Sequence, residues 1–93
     1  MEKEKIIKKG TFLYDHKVIC DIQIVETNIR PGTGDPYDSE DLRVDKEGTF
    51  YYIKFGSPLK RNLFSSLSLY FTDLQKSIDE ADKSTSGVKW KQQ

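Results

Sequence analysis

The chain has 93 residues, 35% of them hydrophobic, and its fifteen basic and fifteen acidic side chains cancel to a formal net charge of zero. That length supports one domain with a modest core, while the charge balance excludes a broad electrostatic pull toward nucleic acid or an anionic membrane and leaves charged recognition to local groupings. The single cysteine, Cys20, excludes an internal disulfide, and no run has the apolar length of a signal peptide or a membrane span, so a soluble, cytoplasmic protein is expected. The eleven aromatic residues are concentrated in a few segments, as in a chain that folds.

Two strands are expected first, over residues 6–14 and 18–27, joined at Asp15-His16-Lys17. In the second, Val18, Cys20, Ile22 and Ile24 share one face, with Asp21, Gln23 and Thr27 on the other. The turn lacks glycine, which favours a connection of three or more residues over a tight mirror-image turn. His16 is the only histidine, so imidazole chemistry would have to use it; at a hairpin tip it lacks the shielding that tunes a general base, and it reads as a turn residue. Cys20 reads as a buried, inert thiol.

Residues 28–47 break the alternating pattern with two prolines and two glycines around Thr33, which predicts a long loop with a short turn near Leu42 and Val44. Between Asp35 and Glu47 stand six acids and two bases, a local sum of −4. The spacing does not fit an EF-hand, so the segment reads as a solvated loop open to a partner, with no metal expected. Gly32-Thr33-Gly34 lacks the lysine of a P-loop and the third glycine of a dinucleotide site, and no cofactor is expected.

A third strand runs over residues 49–55 and has large side chains on both faces: Tyr51, Ile53 and Phe55 on one, Phe50 and Tyr52 with Lys54 on the other. Next, Leu63, Leu67, Tyr70, Leu74, Ile78 and Ala81 recur at helical spacing and draw one continuous stripe, with the helix starting at Ser57-Pro58 or at Ser65 or Ser66. On that reading Leu67→Ala or Leu74→Ala costs about 2–5 kcal/mol. Val88-Lys89-Trp90-Lys91 alternates as a short edge strand would, the competing reading being a frayed tail.

The expected fold is α+β, an antiparallel sheet in the order β-β-loop-β-α with one helix across one face. One helix covers one face, so the other calls for a further lid. Both faces of the third strand carry aromatics, which leaves open the one the helix covers; if Val18, Cys20, Ile22 and Ile24 line the covered side, pairing of that face with Tyr51, Ile53 and Phe55 is the natural register. The leading expectation is a non-enzymatic interaction module, a homodimer or the binder of a protein partner, using Phe50, Tyr52 and Lys54. The alternative is single-stranded nucleic-acid binding by the same aromatics, with Lys60, Arg61, Lys89 and Lys91 adding charge. No catalytic residues are assigned.

Overall fold

The computed structural model describes residues 3–91. The elements are β1 (Glu4–Tyr14), β2 (Val18–Arg30), the single helical turn α1 (Glu40–Arg43), β3 (Lys46–Gly56), β4 (Phe64–Leu67), α2 (Leu74–Ser84) and β5 (Ser86–Trp90). The strands form one antiparallel sheet in the order β4-β3-β2-β1-β5, with α2 packed against it. This is the α+β fold expected from the pattern, enlarged by one strand.

Side-chain alternation sets the core. Ile22 pairs with Phe55 and Ile24 with Ile53, so the apolar sides of β2 and β3 fall on one face. Phe12, Cys20, Ile22, Ile24, Ile53 and Ala81 form the buried centre, and Tyr51, Phe55, Phe71, Leu74, Ile78, Val88 and Trp90 pack around it. The helix therefore covers the face of Tyr51, Ile53 and Phe55. Burial pushes the Cys20 thiol up from its ordinary value, in keeping with an inert side chain.

The β1–β2 turn places three residues between the paired Tyr14 and Val18, as expected. Its backbone differs from expectation: Asp15 (φ 53°) and His16 (φ 57°) both take left-handed values without a glycine, and Lys17 N–H donates to Tyr14 O at 3.0 Å. Aspartate tolerates this region better than most residues. Glycine is required instead where chains crowd, as at Gly56, where a Cβ would lie 2.6 Å from the Asp21 carbonyl oxygen.

The expected long loop contracts to residues 31–45, because β2 runs on to Arg30 and β3 begins at Lys46. Its polar groups are used internally. Gly32 N–H donates to Asp45 Oδ1 at 2.7 Å, Thr33 N–H to Leu42 O at 2.9 Å and Thr33 Oγ1 to Asp38 Oδ2 at 2.7 Å, while Lys46 pairs with Asp41. Part of the acidity seen in sequence thus holds the loop to itself.

The largest departure is the start of the helix, which begins at Leu74 and not near Ser57, Ser65 or Ser66. Asp73 is the N-cap, its Oδ1 accepting from Gln75 N–H at 2.8 Å. Residues 64–67 are a strand instead. The spacing of Leu63, Leu67 and Tyr70 imitated a helix, but Ser65, Ser66 and Ser68 are weak helix formers, and without this strand β3 would leave a row of backbone groups unpaired at the sheet edge. Ser57 N–H donates to Leu63 O at 2.6 Å, Ser68 N–H to Ile53 O at 2.9 Å, and Tyr51 and Phe71 exchange backbone bonds of 2.8 and 2.7 Å. Just past the end of β4, the Ser68 hydroxyl accepts from Ile53 N–H at 2.8 Å in place of a carbonyl. Leu74, Ile78 and Ala81 keep their predicted place against the core. Val88 and Trp90 resolve the tail as the edge strand β5.

Candidate functional site

Phe50, Tyr52 and Lys54 lie on the face of β3 turned away from α2. They do not make a bare aromatic surface. Tyr52 is only 3% exposed: Val25 stands opposite it, the Tyr70 ring lies over it with centroids 5.0 Å apart, and its hydroxyl donates to Glu4 Oε2. Val25 and Thr27 on the same face are buried too, while Phe50 and Lys54 are half-buried. The chain itself supplies most of the lid that the strand pattern called for, through Tyr70. That contribution was hidden in sequence because Tyr70 fitted the helical stripe.

The shortage of cover lies on the helix side. Five strands at about 4.8 Å spacing span roughly 19 Å, and one helix is about 10 Å across. A groove of about 790 Å³ remains between α2 and β4, with Phe12, Phe55, Leu69, Phe71, Glu80 and Ser84 among its lining residues. Phe12 and Phe55 meet edge to face, their centroids 6.2 Å apart.

The wall formed by β4 is also the edge of the sheet. From Asn62 to Thr72 no residue carries a charge, in a chain that is 32% charged. Along that run Leu67 is 59% exposed and Leu69 84% exposed. The opposite edge is built differently, for β5 and the residue after it carry Lys89 and Lys91, and the Lys8 ammonium lies 5.4 Å from the centre of the Trp90 ring. Charged side chains keep an edge strand from adding another chain; β5 has them and β4 does not.

Close to the groove, Asp21 fastens the β3–β4 connection to β2. Its carboxylate accepts from Arg61 Nη2 and from Asn62 N–H, each at 2.7 Å, and the Arg61 guanidinium first, then Asn62 N–H, hold its pKa below the ordinary value against the opposing effect of burial. His16 stands exposed at the hairpin tip. Among the described residues no three His, Cys, Asp or Glu side chains gather in a way that would hold a metal ion. No helix among them is long and apolar enough to cross a membrane. Comparison with protein-family models, curated proteins and solved structures returned no match.

Proposed function

We propose that the protein is a small, non-enzymatic interaction module of the cytoplasm that associates with itself, a second copy adding its β4 to the β4 edge of the first. The observation that carries this reading is the edge free of charge over residues 62–72, with Leu67 and Leu69 projecting from it. Antiparallel pairing of two identical edge strands satisfies the backbone groups of both and closes on itself as a two-fold dimer. The leucines lose water in the same step and no charge has to be desolvated. The zero net charge adds no overall repulsion.

The face of Phe50, Tyr52 and Lys54, first expected to carry self-association, supports it less well. Tyr52 is already buried, and two such faces would bring lysine against lysine.

Molar mass by light scattering or sedimentation tests the edge. Twice the chain mass is expected for the native protein, falling to the single-chain mass in Leu67→Lys/Leu69→Lys with the circular dichroism spectrum unchanged. Tyr37→Lys, at a side chain 96% exposed in the 31–45 loop, should leave the dimer intact. A native protein that stays monomeric at concentrations on the order of 1 mM, within reach of a weak homodimer, overturns the proposal.

A further inference from the structure

The strand register assembles a group of cations that the linear sequence disperses. On the face away from α2, Lys9 stands opposite Gln23, and Gln23 stands opposite Lys54. Lys91 N–H donates to Lys9 O at 2.8 Å and so extends the same row onto the last strand. One step along, Lys89 lies opposite Thr11, which lies opposite Asp21. Four lysines thus occupy a patch about 14 Å wide, the span of three strand spacings. Lys9, Lys89 and Lys91 are exposed and Lys54 is half-buried, and none of the four forms an ion pair among the described residues. The acid within these two rows, Asp21, pairs directly with Arg61 and feels Lys91 only through a weaker, longer-range attraction.

The same face carries Glu4, which accepts from the Tyr52 hydroxyl, while most of the other acids lie elsewhere, in the 31–45 loop, at Asp73, which caps α2, and at Asp79, Glu80 and Asp82 on that helix. The molecule is therefore polar in charge although neutral in sum. Next to the lysine rows, the Tyr70 ring rests half-buried on Tyr52, and Phe50 is half-buried one cross-strand row further on. A sheet face with cations set beside aromatic rings offers phosphates their counter-charge and bases a ring to stack on. An acidic protein or an anionic bilayer would engage the lysines alone, whereas a base can also stack against the half-buried Tyr70 ring where it rests on Tyr52.

We propose that the sheet face opposite α2 binds single-stranded nucleic acid, Lys9, Lys54, Lys89 and Lys91 contacting phosphates and Tyr70 stacking on a base. Contact through phosphates and ring faces reads no base edges, so binding tolerates most sequences. The site adjoins the β4 edge, since Lys54 stands opposite Leu67 and Tyr70 belongs to the same uncharged run, but one chain carries all of its residues, so binding by the monomer is tested apart from self-association.

Fluorescence anisotropy of labelled oligothymidylate and oligouridylate about ten nucleotides long, enough for one face, provides the test. Four phosphate contacts give a slope of about −3 in log affinity against log salt, a loss of roughly fiftyfold between 50 and 200 mM. Lys54→Glu/Lys91→Glu should weaken binding at least tenfold at low salt, while Lys76→Glu/Lys83→Glu, on α2, should change it less than about twofold. Tyr70→Ala should weaken it about fivefold or more, with Tyr70→Phe restoring it. Absence of binding at low salt, equal losses in the two charge-reversed pairs, or equally tight binding to polyglutamate or to vesicles of anionic phospholipid would overturn the assignment.

Discussion

Ile53 and Leu67 show how little a residue's type says about its place. Both are aliphatic and both belong to apolar patterns, but Ile53 is fully enclosed between β2 and α2, whereas Leu67 is more than half exposed on the edge strand. Ile53→Ala removes atoms that neighbours cannot replace and should cost about 2–5 kcal/mol. Leu67→Ala should stay within about 0.5 kcal/mol, as surface substitutions do. Urea unfolding of the two variants, compared under conditions where both are monomeric, gives the ranking; a loss at Leu67 equal to that at Ile53 would mean that Leu67 is core after all. At this scale the alternation within each strand was legible: it set Val18, Cys20, Ile22 and Ile24 on one side of β2 and Tyr51, Ile53 and Phe55 on one side of β3, but aromatics on both sides of β3 left open which side the helix covers, and Val18, at the strand's end, is 40% exposed. Leu67 was misplaced because a spacing of four or three residues has the same appearance whether the chain is helical or a strand followed by a bulge.

Among elements, the connection between β3 and β4 is the one tied to β2 by a single carboxylate, Asp21. Asn62 takes a left-handed φ of 66°, which turns its N–H onto Asp21 beside the Arg61 guanidinium. Asp21 is forty residues away in sequence from Arg61, so no local pattern announces the pair. The same long-range pairing explains why β4 could not be foreseen: its stability comes from the exposed ladder of β3, not from its own propensity. The carboxyl of Asp21 is held below its ordinary pKa when folded, so the sign of the pH effect is fixed. Its stabilisation is complete above the unfolded carboxylate value and drains away as pH falls through the lower folded value. Asp21→Asn should therefore lower stability at neutral pH and flatten the decline expected of the native protein as pH falls below about 5. Thermal unfolding across that range reads both effects, and an unaltered acid limb would show that the pair contributes nothing to the fold.

For the whole molecule, the zero net charge concealed more than it revealed. Lys9, Lys54, Lys89 and Lys91 are spread over eighty-three positions of sequence, and only the β5-β1-β2-β3 order brings them together. The two proposed surfaces also constrain each other. Antiparallel β4 strands related by a two-fold axis need that axis perpendicular to the sheet, because rotation about the strand direction would leave them parallel. Both α2 helices then lie on one side of a ten-stranded sheet and both lysine faces on the other, where one strand of nucleic acid can cross them. For an oligonucleotide about thirty nucleotides long, the native dimer should show a salt slope near −6, twice the value for one face, and Leu67→Lys/Leu69→Lys should return it to about −3. The added lysines would by themselves strengthen electrostatic binding, so a weaker affinity and a shallower slope in that variant can come only from loss of the second face. A slope unchanged by the variant, with the mass confirmed as monomeric, would show that the two faces do not act together.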